Sequence, residues 1–278
     1  MDFRHFFIQC KFMDRIYMNI IRPLGYFVFI YPREKLYLWR HKKQFNYLKE
    51  FKNKYKGKRC FIVGTGPSLT QEDMELIKDE FVIGVNSLCL WKKYLKYINF
   101  FFIGDTAAYR RLHNDLPVGT FVSSHCLSVC RDLDTKGVCK IPVSRFNYFF
   151  PYKHKFSLDI SDMFFDFNSV IFLALQFAIY AGFSEIYLLG VDCNYNLPQI
   201  YAIDHGIRHR KEYMKSVGID MIHNFEFVKK YIKSRHIPVN IYNASSGGML
   251  EVFPRVKLKK FCSGEMCYEE DNIFAHKS

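Results

Sequence analysis

From residue 59 onward, apolar residues come in short runs separated by turn signals. Arg59 to Gly64, Phe81 to Val85, Ile98 to Ile103, Thr120 to Val122 and Val138 to Val143 are too short for helices and predict buried strands. Behind the first run, Gly64-Thr65-Gly66-Pro67-Ser68-Leu69 reads as a tight turn, and Thr70 to Ile77 has acids in its first turn and apolar spacing that suits a helix. A second unit begins at Asn168-Ser169, either able to cap a helix that runs through Val170 to Ala181 and stops at Gly182. The strand Glu185 to Asp192 follows and ends on an aspartate. A last cycle has a helix near Ile222 to Arg235, a strand at Val239 to Tyr242 and the polar turn Asn243-Ala244-Ser245-Ser246-Gly247-Gly248. Alternating strands and helices predict an α/β fold with a mostly parallel, doubly wound, Rossmann-like sheet. No period of 20 to 50 residues repeats, which argues against a solenoid.

The N-terminal stretch has a different texture. Ile16 to Tyr31 (IYMNIIRPLGYFVFIY) is shorter than the roughly 20 apolar residues of a membrane span and carries Arg22 and Pro23 at its middle. No small-residue cleavage site follows it, only Pro32-Arg33-Glu34-Lys35, so it does not read as a signal peptide. Arg33 to Arg59 mixes eleven basic residues with Leu36, Tyr37, Leu38, Trp39, Phe45, Tyr47, Leu48, Phe51 and Tyr55. Two readings fit: an interfacial helix on an anionic membrane surface, or a helix that packs its aromatic stripe on the main domain. Three segments result: a basic aromatic leader over 1–58, a catalytic domain over 59–260 and a polar tail over 261–278.

Composition sharpens this picture. The 278 residues are 49% hydrophobic and 18% aromatic, which excludes a disordered or collagen-like chain. The net charge of +13 suggests nucleic acid until it is located: the first 59 residues carry 15 basic and 4 acidic side chains, while the remainder is close to neutral with 25 and 23. A neutral domain offers no second basic surface, so nucleic acid is not an expected partner. Nine cysteines with no CxxC pair argue for reduced thiols, a cytoplasmic location and no zinc site.

GTGPSL is neither a P-loop, since no Lys-Ser or Lys-Thr follows, nor the full dinucleotide fingerprint, since Leu69 stands where the third glycine would be. Gly64 and Gly66 allow close backbone approach, and Ser68 offers a hydroxyl beside amides at a helix start, which suits a phosphate held without lysine. An ordinary βα turn fits the same residues.

The combination adds more. The turn Gly64 to Leu69, the strand end Val82-Ile83-Gly84-Val85-Asn86, the unit Asn168 to Asp192, and Ile241 to Ser245 with Gly247 to Val256 together resemble one superfamily. It contains the bacterial CMP-sialic-acid sialyltransferases that decorate lipooligosaccharide, the Maf-type flagellin glycosyltransferases and the MptE-like hydroxymethylpterin diphosphokinases. The resemblance covers roughly residues 57 to 258 and implies a GT-A-like single domain that binds a CMP-sugar without a metal and inverts the anomeric centre. It implies that Gly64, Thr65, Gly66, Pro67 and Ser68 line the phosphate turn, that Asn86 contacts the donor and that Asn168 and Ser169 lie near the ribose or cytosine. Asn243 and Ser245 join the implied donor-binding set. Tyr195 and Tyr201 resemble a tyrosine pair that binds the departing phosphate, and two phenols suit a developing charge where no metal does.

The acceptor hydroxyl needs a base, for which a histidine of near-neutral pKa is suited. The family places its histidine where this chain has His205 and His209, and spacing does not choose between them. Thr65 stands where the sialyltransferases usually carry Asn. Asp105 has no clear counterpart there; with Asp192 it could instead hold Mg²⁺ for ATP, as a diphosphokinase requires. The leading expectation is therefore a metal-independent glycosyltransferase with a CMP-activated acidic sugar as donor, a lipid-linked or surface glycan as acceptor, no cofactor, and a peripheral site on the inner membrane face reached through residues 1–59. A pterin diphosphokinase and a non-catalytic nucleotide-sugar-binding protein are the alternatives.

Overall fold

The computed structural model describes residues 16–150, 153–203, 206 and 211–259, with side chains from 214 in the last segment. Seven parallel strands form one sheet in the order β5-β4-β3-β2-β1-β8-β9. They are β1 (Arg59–Val63), β2 (Val82–Val85), β3 (Phe100–Ile103), β4 (Thr120–Ser123), β5 (Val138–Ile141), β8 (Glu185–Leu189) and β9 (Asn240–Asn243). Each predicted strand except Val138 to Val143 is present as one strand, and the α/β, Rossmann-like class holds.

The run Val138 to Val143 does not form one strand. Pro142 has no N–H to give to a ladder, so β5 stops at Ile141. Val143 and Ser144 form β6, which pairs in parallel with β7 (Phe164–Phe165) as a separate two-stranded ribbon. Pro142 joins that ribbon through its carbonyl, which accepts from Phe164 N at 2.8 Å.

Period-two alternation sends strand residues to two cores. Phe61, Val63, Val82, Phe101, Val122 and Leu189 face the layer containing α1 (Gln71–Leu76), α2 (Thr106–Leu112) and α3 (Ser124–Val129). Ile62, Ile83, Val85, Phe102, Phe121 and Leu188 face α4 (Val170–Tyr180) and α5 (Lys211–Ser234). α1 is fixed at its start by a capping box in which Thr70 Oγ1 accepts from Asp73 N and Asp73 Oδ2 accepts from Thr70 N. All eleven residues of α4 are buried, which matches its apolar composition on every side. Its one polar side chain, Gln176, is fully satisfied: Oε1 accepts from Ser157 N and Phe165 N, and Nε2 donates to the carbonyls of Phe165 and Phe172.

The described part of the N-terminal segment is a helical run from Tyr17 to Phe51. Its distal half packs on the domain. Phe45 and Leu48 are buried in the α4 core, and the Phe51 ring meets Phe100, Phe121 and Phe177 at 5.2 to 6.0 Å. Tyr55 stacks on Phe183, and backbone bonds join Asn53, Tyr55 and Gly57 to Tyr180, Ala181 and Gly182. For residues 45–57 the packing reading is therefore the one observed. Upstream the picture reverses: Tyr17, Ile20, Ile21, Leu24, Phe27, Val28, Phe29, Tyr31, Leu36 and Trp39 are all exposed. No helix among the described residues is long and apolar enough to cross a membrane.

Candidate functional site

The chain winds outward from β1 to β5, then returns through the β6–β7 ribbon and α4 to β8 on the other side of β1. Strand order reverses between β1 and β8, and at such a switch point the loops leaving the two carboxyl ends diverge and leave a crevice. A cleft of about 330 Å³ opens there. The two loops that bound it touch closely. A Cβ added to Gly64 would lie 2.5 Å from the Gly190 carbonyl oxygen, and one on Gly66 would lie 2.6 Å from Asp192 Oδ2. Gly190, at φ +64°, ends β8 and turns the chain toward the cleft, so the strand stops before Asp192.

Of the residues singled out in the sequence, Gly64, Thr65, Gly66, Pro67, Asn86, Asp105, Asn168, Ser169, Asp192, Tyr195 and Tyr201 line this one cleft. The two tyrosine rings stand 6.4 Å apart in an edge-on arrangement, and Tyr195 OH donates to Met221 Sδ. Asn86 adopts φ +48°, and its buried Oδ1 has no partner among the described residues. Ser169 occupies the N-cap position of α4 without bonding the helix through its side chain, so the helix start opens into the cleft.

Ser68, Asn243 and Ser245 are not lining residues. The Ser68 amide donates to Asp192 Oδ2 at 2.8 Å, and its hydroxyl donates to Asp192 Oδ1. Ser68 therefore does not present the free hydroxyl and amide expected of a phosphate turn; Asp192 uses both to tie the β1 turn to the β8 turn. Asn243 is fully buried, with Nδ2 donating to Leu250 O and Oδ1 accepting from Ser245 N. Ser245 Oγ accepts from Val191 N, which braces the same turn from the other side. His205 and His209 lie outside the described residues, as does the tail over 261–278.

The two carboxylates considered for Mg²⁺ are engaged with the protein. Asp105 caps α2 by accepting from Ala108 N at 2.7 Å, and Asp192 holds Ser68. Among the described residues no group of three or more His, Cys, Asp or Glu side chains is placed to hold a metal. The six described cysteines are free thiols. Cys193 lines the cleft beside Asp192, and burial, reinforced by that carboxylate, pushes its thiol up to about 12, which leaves it a poor nucleophile.

Sequence reasoning missed a second polar group in the cleft: His125 in α3, Arg145 and Tyr148 after β6, and Asp166 after β7. A signal was present for His125, which lies three residues past the carboxyl end of a strand predicted at Thr120 to Val122. Arg145 and Asp166 depend on the β6–β7 ribbon, which has no signature longer than two residues. Burial raises the carboxyl pKa of Asp166 against the opposing pull of its bond from Asn168 N and of Arg145. The N-terminal helix supports this side of the cleft. Glu34 accepts from Tyr26 OH, from Ser144 Oγ and from Arg145 N, and Arg22 lies over the Tyr148 ring at 4.4 Å.

Comparison with protein-family models, with curated proteins and with solved structures finds no match to this chain.

Proposed function

We propose that the protein is a GT-A-like glycosyltransferase that moves a CMP-activated acidic sugar onto a lipid-linked or surface glycan, without a metal and with inversion. The observation that carries this reading is the joining, in one switch-point cleft, of the glycine turn of Gly64 and Gly66, the α4 start at Asn168 and Ser169, and the Tyr195–Tyr201 pair. The α4 start, whose N-cap side chain leaves the first amides open, suits a nucleotide monophosphate, and the glycines let it lie close to the backbone; the orphaned Asn86 Oδ1 is an acceptor for a donor group of the ligand.

In the reaction an acceptor hydroxyl attacks the anomeric carbon as the bond from that carbon to the phosphate oxygen breaks. The bonding pair leaves with CMP, and the phenols of Tyr201 and of Tyr195, the latter exchanging its long 3.5 Å bond to Met221 Sδ for the phosphate, donate hydrogen bonds to the charge that develops there. Because Ser68 is taken by Asp192, the Gly64 and Gly66 amides donate to Leu189 O and Gly190 O, and Pro67 has no N–H, the phosphate is assigned to the Thr65 amide and to the tyrosines. The diphosphokinase alternative would ask Asp105 and Asp192 to share Mg²⁺, although each already holds a backbone amide.

The exposed apolar residues from Tyr17 to Trp39, beside the exposed cations Arg33, Lys35, Arg40, Lys42 and Lys43, support a peripheral position on an anionic membrane surface. The same helix braces the loop that carries Arg145 and Tyr148, which would bring that edge of the cleft toward a lipid-linked acceptor. Calorimetry with CMP, and with ATP plus Mg²⁺, tests the reading: binding of ATP with Mg²⁺ and not of CMP would replace it with the kinase.

A further inference from the structure

Besides Tyr148, four ionisable side chains enter the cleft on the side away from β8: Asp105, His125, Arg145 and Asp166. Two have structural work. Asp105 caps α2, and Asp166 accepts from Asn168 N at 2.9 Å. The other two have none that the fold requires. The His125 ring makes no hydrogen bond among the described residues, although its backbone carbonyl accepts from Ser128 Oγ. The Arg145 guanidinium has no ion pair there either and rests on the rings of Tyr148 and Phe149, at 5.0 and 5.7 Å. A half-buried imidazole with open ring nitrogens and a guanidinium without an ion pair thus stand together on one wall of the cleft, where a ligand can use them.

We propose that His125 is the general base of the transfer, accepting the proton of the acceptor hydroxyl, and that Arg145 beside it pairs with the carboxylate of the acidic sugar. This rests on the glycosyltransferase reading and assigns the base to a residue other than His205 or His209. The step balances within the cleft. The acceptor oxygen forms the new bond to the anomeric carbon, its proton passes to the free ring nitrogen of His125, and the electron pair of the broken bond leaves on CMP.

The protonation state is suitable. Burial, with the Arg145 charge as a second cause, lowers the pKa of His125, so the ring is neutral at pH 7 and able to take a proton. Arg145, Asp105 and Asp166 are the charged groups that share its wall. Binding of a sugar carboxylate at Arg145 offsets the charge that opposes protonation, so the base strengthens when the donor is in place.

The test uses the full chain with CMP-N-acetylneuraminate as donor and lipooligosaccharide as acceptor, following CMP release, with CMP affinity measured separately by calorimetry. His125→Gln is expected to lower kcat by about 100-fold or more, the usual contribution of a general base, with CMP affinity changed by less than about twofold. The limb of the kcat–pH profile that rises from acid pH should disappear with it. Arg145→Gln should weaken binding of the acidic-sugar donor while sparing CMP. Full turnover in His125→Gln, or a loss confined to His205→Gln or His209→Gln, overturns the assignment. Should His125→Gln not fold, diethyl pyrocarbonate labelling of the wild-type chain decides: His125 is expected to react and to be shielded by the donor, and an unreactive or unshielded His125 refutes it. A wild-type chain that neither binds CMP nor releases it removes the glycosyltransferase reading as well; one that does both while His125→Gln stays fully active removes only the base.

Discussion

Replacing Gln176 by leucine keeps the side-chain volume of α4 nearly constant and deletes four hydrogen bonds. Phe172 O keeps its place in the helix. Ser157 N, Phe165 N and Phe165 O lose the partner the structure gives them, in a fully buried setting around residue 176. At about 1 to 3 kcal/mol for each stranded buried group, three such groups predict a loss of at least about 3 kcal/mol. For a domain of this size each kcal/mol corresponds to about 2 to 4 °C, so the midpoint should fall by about 6 to 12 °C in a reversible melt followed by circular dichroism. The damage should also reach the cleft, because the loop tied to Gln176 through Phe165 carries Asp166, Asn168 and Ser169. A fall of less than about 2 °C would show that these loops are held by something other than the Gln176 amide, and the packing account of α4 would then be wrong.

Gly64→Ala puts a methyl 2.5 Å from the Gly190 carbonyl, backbone against backbone, and should cost about 1 to 3 kcal/mol in urea unfolding together with nucleotide binding; an unchanged midpoint would mean the β1 and β8 turns do not meet as described. Burial lowers the pKa of His154, whose ring stands edge-on to Phe167 and Phe227. Below about pH 6.5 the unfolded chain binds a proton that the folded chain resists, so stability should fall as pH drops from about 6.5, and His154→Phe should flatten that fall; an identical pH slope in the variant would refute it. A Leu24→Glu/Phe29→Glu pair removes two exposed apolar side chains, each worth about 1.5 to 3 kcal/mol when buried, and should weaken binding of the full chain to phosphatidylglycerol vesicles by at least about tenfold without moving the melting midpoint. Equal binding by both proteins would place the membrane contact elsewhere.

The fold was legible wherever a strand or helix has its own pattern. β1, β2, β3, β4, β8 and β9 were each marked by a short apolar run, and α4 by a cap signal before it and Gly182, at φ +88°, after it. α2 and α3, of seven and six residues, are too short to express a helical period, and their caps, Asp105 and Ser123, look in sequence like ordinary loop residues. Patterning could not separate the two fates of the N-terminal segment, because an aromatic stripe facing lipid and one facing a core have the same spacing. Tertiary packing divided it, burying Phe45 and Leu48 and leaving Leu24 and Phe27 outside. The glycine turn stood out by its residue types, while Tyr195 and Tyr201 were singled out only through the family resemblance; the structure places all of them on one cleft. Ser68 and Asp192 were each visible, but their bond joins positions 124 residues apart, and no local signal reports that one saturates the other. His125 and Arg145 stayed hidden for the same reason: the ends of β4 and β6 come to one wall through tertiary packing, with Val143 N donating to Ser124 Oγ.

Calorimetric titration of the full chain with CMP in a magnesium-free buffer decides whether the switch-point cleft is a metal-independent nucleotide site. The account predicts saturable one-to-one binding of CMP that survives chelation of divalent metal and is weakened by substitution of Tyr195 and Tyr201 with phenylalanine. Heat from ATP with Mg²⁺ and none from CMP would contradict it.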